Sequence, residues 1–383
     1  MRDILDVSRI KNGCVMIKNL TSILDFGSSK ITILVGVGDV NKSFRLLASV
    51  DYDYDGFSRG EFIDSNGLQS VVGNALAKVE SELQFKITNL FVGVPAEFCY
   101  VYDVMLTKTF PKKIKITNKV IDNLFLEDKE ETPYKTHTVI NKAPLFYIVN
   151  DDNKTNDPVG FVANKLQART SYVLVENGFK HLISGILDGL GVKTYDFLSS
   201  SMAESLYLID DYKRNEGAIV VDCGHMTTSV AMVLGSGLKE LKSFSLGGGH
   251  ITADIAKVFE ISYEEAEEIK MQAIVTLNPS GTDFYETQSG GKYNIKKVNE
   301  IILTRADKIV DLINKCIDGF EMKLPDFLPI YITGGGLNYF EGISDYFRRS
   351  FTRPVEKISP KMLLYRKPDL SSSVCLLNMA INL

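Results

Sequence analysis

Ile23-Leu24-Asp25-Phe26-Gly27-Ser28-Ser29-Lys30 and Val220-Val221-Asp222-Cys223-Gly224-His225-Met226-Thr227-Thr228 are two versions of one pattern. Each is an apolar run that ends in Asp-x-Gly, passes through a hydroxyl-rich turn and enters a second apolar run. Short apolar runs bounded by glycine read as strands, so each copy predicts a strand–turn–strand unit. Two copies about half a chain apart predict two similar domains facing each other. A third stretch, Pro329-Ile330-Tyr331-Ile332, runs into Thr333-Gly334-Gly335-Gly336, which is expected to open a helix.

Outward from these stretches, strand-like and helical runs alternate, the pattern of an α/β architecture. A helix is expected after Asp64 as N-cap, with Leu68, Val71, Val72, Ala75, Leu76, Val79 and Leu83 on one face. Further helices are predicted at 251–259, 262–273 and about 295–320, and a last one at Ser371–Ala380. Residues 85–165 read differently. Two β-rich runs, around Leu90–Val94 and Leu145–Val149, flank a short helical stretch near Asn118–Leu126. The region reads as a small inserted subdomain, with the charge-dense Glu127–Glu131 as a solvated connection.

The 383 residues suffice for two to three ordinary domains. A net charge of −5 argues against broad nucleic-acid contact, which needs clustered Lys and Arg. Cys14, Cys99, Cys223, Cys316 and Cys375 are scattered and odd in number, which disfavours a disulfide framework or zinc site. The N-terminus lacks the apolar core of a secretory signal, and no apolar run is long enough for a membrane span. These features predict a reducing, cytoplasmic setting.

A nucleoside triphosphate needs converging backbone N–H groups at its phosphates, and glycine turns supply them. Magnesium needs oxygen ligands, largely through water, so one or two aspartates suffice. Asp25 with Gly27, Ser28, Ser29 and Lys30, and Asp222 with Gly224, His225, Met226, Thr227 and Thr228, would grip phosphates from opposite sides. Gly334, Gly335 and Gly336 would give the nucleoside a surface of low bulk. Singly, an Asp-x-Gly or a glycine triplet is usually only a turn; the three together, each after an apolar strand, are more specific. Asp25-Phe26-Gly27 is not a protein-kinase signature, because no His-Arg-Asp loop precedes it. Ser289-Gly290-Gly291-Lys292 lacks the context of a P-loop.

The three elements resemble the phosphate-1, phosphate-2 and adenosine motifs of the actin, Hsp70 and sugar-kinase superfamily. Within it the chain resembles the FtsA family of bacterial division proteins. Further matching segments are Ser58–Asp64, Asp157-Pro158-Val159-Gly160, Gly247–Ala256 and Ala266–Lys270, so the resemblance runs from about residue 20 to the C-terminus. It implies two actin-like (ribonuclease H-like) α/β domains with an inserted small α+β subdomain. The first domain would comprise 1–84 and 165–198, the insert 85–164, and the second domain 199–383, with its last helix returning to the first. ATP would sit between the domains, with Asp25 and Asp222 holding magnesium through water. Gly27–Lys30, Gly224–Thr228, Gly247 and Gly248 would line the phosphates. Glu267 and Lys270 would contact ribose and adenine; without the resemblance they read as an exposed i,i+3 pair.

The resemblance also implies a scaffold that polymerises head to tail and binds the C-terminal tail of FtsZ and other division proteins at the inner face of the cell membrane. Lys297 and Arg305 are the expected contacts for that acidic tail; as bare residues they read as solvated charges. Three departures carry expectations of their own. His225-Met226 replaces the usual Gly-Gly and predicts crowding at the phosphates. No Glu or Gln begins the helix at Ser199–Glu204, where hydrolysing members orient water, and Glu204 reads as a turn too late, so slow hydrolysis or none is expected. The family's terminal amphipathic helix has no counterpart after Ser371–Ala380, and Ile4–Ile10 is a poor substitute, so membrane contact is expected to be indirect. The competing readings are another actin-like scaffold, for pilus assembly or plasmid segregation, and a small-molecule kinase.

Overall fold

The computed structural model describes residues 20–38, 44–129, 132, 134–361 and 368–383. Ile4–Ile10 and Cys14 lie outside the described residues. The two Asp-x-Gly runs occupy equivalent places in two five-stranded sheets. In the first, Leu20–Phe26, Lys30–Val37 and Arg45–Asp53 form an antiparallel meander, and Asn89–Val94 and then Thr194–Ser199 add in parallel on the other side of Leu20–Phe26. In the second, Ala218–Cys223, Thr228–Leu234 and Gly237–Phe244 form the meander, and Ile330–Thr333 and then Val355–Lys357 add in parallel. The register repeats as well: Asp25 lies opposite Thr32, and Asp222 opposite Ser229.

The central meander strands Lys30–Val37 and Thr228–Leu234 are buried on both faces, which explains why they read as continuous apolar runs rather than alternating ones. The helix Leu68–Leu83 buries Leu68, Val72, Ala75, Leu76, Val79 and Leu83 against the first sheet. It starts later than the sequence suggests. Asp64 Oδ1 accepts from Gly67 N at 2.9 Å and so closes a turn ahead of the helix. The long helix Ile295–Asp318 packs Val298, Ile302, Ile309 and Ile313 into the core of the second domain. Its N-cap is Asn294, whose side chain accepts from Lys297 N. The glycine turn after Thr333 does not open a helix directly. Asn338 Nδ2 ties back to Ile332 O, and the next helix begins only at Ile343.

A third sheet has the strand order Cys99–Lys115, Val162–Glu176, His137–Val149, Asn153–Thr155, and the helix Asn118–Leu126 covers it around Leu124, Leu166 and Ala168. The C-terminal helix Ser371–Ile381 packs on the first sheet and on the helix Ser200–Leu208, through a cluster that includes Ile23, Leu34, Leu198, Ala203, Val374 and Leu377. The N-terminal end of this helix therefore arrives beside the first Asp-x-Gly turn.

Candidate functional site in the interdomain cleft

The two hairpin turns have the same internal bond. Gly27 N donates to Lys30 O at 2.9 Å, and Gly224 N donates to Thr227 O at 2.9 Å. They face each other across one cleft, and Met226 N donates to Ser28 Oγ at 2.9 Å between them. Two backbone segments of the second domain converge behind its hairpin through three bonds. Gly248 N donates to Gly224 O (2.9 Å), Gly249 N to His225 O (2.7 Å) and Gly336 N to Cys223 O (2.6 Å). Side chains have no room at these crossings: a Cβ on Gly336 would lie 2.4 Å from Gly224 O.

Gly334 has the strictest requirement. Its φ is +85°, and a Cβ would fall 2.1 Å from Asp222 Oδ1. Gly334→Ala is expected to lose about 1–3 kcal/mol of stability. A urea unfolding curve checks this; an unchanged midpoint would show that the turn relaxes freely.

The cleft is lined by Asp25, Gly27–Lys30, Asp222, Gly224, His225, Thr227, Thr228, Gly248, Glu267, Lys270 and Gly334–Gly336. Met226 contributes through its backbone N–H. Gly247 caps the helix Gly248–Phe259, its N–H donating to His250 Nδ1 at 3.2 Å. His225 lines the cleft and is tied to the wall of the second domain. Its Nε2 lies 3.0 Å from Tyr263 Oη, and burial followed by the Lys270 charge lowers its pKa, so it favours the neutral form.

Glu267 and Lys270 are not an exposed pair. They meet at 2.7 Å, and Lys270, only 7% exposed, also donates to Thr252 Oγ1 at 2.9 Å. Thr252 in turn donates to Glu267. The side chain of Thr252, on the helix that follows Gly247, thus sets the pair into the cleft wall.

The acids lie deeper. Asp25 accepts from Ser373 Oγ (2.8 Å), Ser372 Oγ (3.0 Å) and Ser200 Oγ (3.4 Å). Burial raises its pKa, while those hydroxyls and Lys30 pull it down. Burial and then the Asp25 charge push the Asp222 carboxyl up to about 7. Glu204 joins them. The helix begins at Ser200, directly after the strand, so Ser200 and Ser201 precede Glu204 by four and three residues, and all three line the cleft. Glu204 is 2% exposed, and its Oε1 has no hydrogen-bond partner among the described residues. In the sequence Glu204 reads as one turn past the position that orients water; the helix starts at Ser200, where it was expected, and Glu204 nevertheless lines the cleft. Burial, then Asp222 and Asp25, raise its pKa well above the usual carboxyl range.

Among the described residues no three His, Cys, Asp or Glu converge as a self-sufficient metal site. The donor set fits a cation bound mainly through water and phosphate oxygens: the mutually repelling Asp25 and Asp222, with backbone turns, hydroxyls and Lys30 in the same cleft.

The sequence reading missed Glu204, Asp369, Ser372 and Ser373. Lys30 Nζ meets Asp51 at 2.9 Å and Asp369 at 3.4 Å. The one signal for the serines was the run Ser371-Ser372-Ser373 at a helix start. The residues expected to meet a partner lie elsewhere. Lys297 is exposed and 3.8 Å from Glu300. Arg305 is held by Asp254 through two bonds of 2.6 and 2.7 Å.

Residues 219–375 match the family model described as cell division protein FtsA. Over 375 residues the chain is 22% identical to the cell division protein FtsA of Staphylococcus epidermidis (strain ATCC 12228 / FDA PCI 1200), covering 94% of this chain and 78% of that protein. Among solved structures it is similar to the PilM–PilN type IV pilus biogenesis complex (TM-score 0.63, 13% identity, 96% of this chain and 99% of that one). It is also similar to MreB5 of Spiroplasma citri bound to AMPPNP (TM-score 0.56, 13% identity, 95% and 96%). These likenesses show an actin-like fold and a resemblance to FtsA that extends over most of the chain.

Proposed function

We propose that this chain, a divergent relative of the FtsA cell-division proteins, binds ATP with magnesium in the cleft and works as an assembling scaffold of the division machinery. The observation that carries the reading is the pair of matched hairpins, each following an aspartate that lines the cleft and joined across it by Met226 and Ser28.

Asp25 and Asp222 would hold magnesium through water. Gly27–Lys30, Gly224–Thr228 and the Gly247–Gly248 helix start would hold the phosphates. Glu267 and Lys270 would meet ribose and adenine, and Gly334–Gly336 would back the nucleoside. Glu204 faces the same space, and burial with the Asp222 and Asp25 charges raises its pKa, which disfavours the ionised form that would accept a proton. Slow turnover follows, with the nucleotide acting as a switch that holds the cleft closed.

Closed subunits would associate head to tail and bind the FtsZ C-terminal tail on the outer part of the second domain, at the inner face of the membrane. Lys297 is the better placed of the two expected contacts, because an acidic tail would have to displace Asp254 from Arg305. Other division proteins complete the expected partners.

Sedimentation with and without Mg-ATP tests the assembly reading. Pelleting is expected to need nucleotide and to disappear in Asp222→Ala. A fluorescent FtsZ-tail peptide is expected to bind at micromolar concentration and more weakly to Lys297→Glu. Nucleotide-dependent pelleting without peptide binding would move the assignment to another actin-like scaffold; a soluble monomer that phosphorylates a small molecule would move it to a kinase.

A further inference from the structure

We infer that Asp369 is a built-in competitor for the first phosphate hairpin, a carboxylate that occupies Lys30 until a bound anion displaces it. The inference rests on the nucleotide reading above and adds a control on the affinity of that site.

Lys30 has three ammonium donors and no acceptor. Asp51 on the neighbouring strand takes one donor at 2.9 Å, and Asp369 takes another at 3.4 Å. A carboxylate and a phosphate oxygen make the same demand on an ammonium group, so a phosphate that recruits Lys30 must compete with Asp369. The position of Asp369 is imposed rather than incidental. It lies just ahead of the helix Ser371–Ile381, whose apolar face is buried in the core beneath the first sheet. Ser371 Oγ is hydrogen-bonded to Thr333 Oγ1, and Ser372 and Ser373 bind Asp25.

The same carboxylate reaches the second domain. Tyr339 Oη donates to Asp369 Oδ1 at 2.5 Å, and a Cβ on Gly335 would lie 3.1 Å from Asp369 Cβ. Asp369 thus joins the lysine of the first domain to the glycine turn of the second. Lys30 takes one oxygen of this carboxylate, Oδ2, and Tyr339 the other, Oδ1. A site whose competent state is only partly populated binds more weakly by that fraction, and removing the competitor restores the difference.

The test is a double-mutant cycle read by titration with fluorescent N-methylanthraniloyl-ATP in magnesium buffer. Asp369→Asn keeps an acceptor for Tyr339 and removes the charge. It is expected to bind the probe about two- to fivefold more tightly than the parent, the range for loss of a partly exposed ion pair. In a Lys30→Ala background the same change is expected to give no gain. Unchanged or weaker binding in Asp369→Asn would overturn the inference. So would an equal gain in the Lys30→Ala background, because Asp369 would then act by general repulsion of the anion. If parent and Asp369→Asn unfold at the same urea concentration yet neither binds the probe, the nucleotide reading itself fails, and this inference with it.

Discussion

Leu377→Ala should lower the free energy of unfolding by about 2–5 kcal/mol, the cost of a large cavity in a packed core. Leu377 is fully buried, and its Cδ atoms fill the space left open by Gly36, where a Cβ would lie 2.9 Å from Leu377 Cδ2. A glycine in a buried strand facing a leucine on a helix is a close approach that little else can fill. The helix carrying Leu377 also presents Ser372 and Ser373 to Asp25. Core packing and the polar floor of the cleft are therefore two faces of one element. Urea midpoints measure the effect, with Leu383→Ala as control, since Leu383 is 74% exposed and should stay within about 0.5 kcal/mol of the parent. A Leu377→Ala midpoint no lower than that of the control would mean that the helix is not integral to the first domain.

How much of this was legible in the sequence follows from contact distance along the chain. The hairpins were visible because everything that defines them is local: an apolar run, an aspartate, a glycine and hydroxyls within a few residues. The glycine triplet was visible for the same reason, although the helix expected directly after it begins only at Ile343. Gly334–Gly336 serve a crossing of backbones around Cys223 and Gly224 rather than a helix start.

What was not legible depends on which distant segments meet. Nothing near Asp25 announces that Ser372 and Ser373 will bind it, or that Asp369 will share Lys30. Nothing near Glu204 announces that its turn of helix will meet Asp25 and Asp222, which come from two different sheets. Arg305 read as free for a partner, yet its guanidinium fork matches Asp254 on a neighbouring helix, a bidentate pairing that no periodicity reveals.

The buried acids make a second large effect measurable: the ligand-free protein, kept in chelator, should lose stability as pH rises from about 4 to about 7 through Asp222. The sign follows from proton counting. With its folded pKa raised from 3.8 to about 7, Asp222 is protonated in the folded state over that interval and ionised in the unfolded one. The folded state then binds more protons, so stability falls with rising pH there and this contribution is flat beyond both limits. Burial raises the pKa of Asp25 and Glu204 as well, so both add slope of the same sign. His225 and His250 work against them. Burial lowers their pKa values, so below their unfolded pKa of 6.5 the unfolded state takes up protons that the folded state refuses, and stability rises with pH in that region. Comparison with Asp222→Asn isolates the aspartate. That variant should be the more stable protein at pH 8 and lose part of the downward slope between pH 4 and 7, on the order of a few kcal/mol in all. Urea midpoints across the range give the answer. A variant that keeps the full parental slope would show that Asp222 is ionised in the folded state at neutral pH without any ligand. In the opposite case, a cation that binds the ionised carboxylates must displace a proton, so magnesium nucleotide should stabilise the protein more at pH 8 than at pH 5.5.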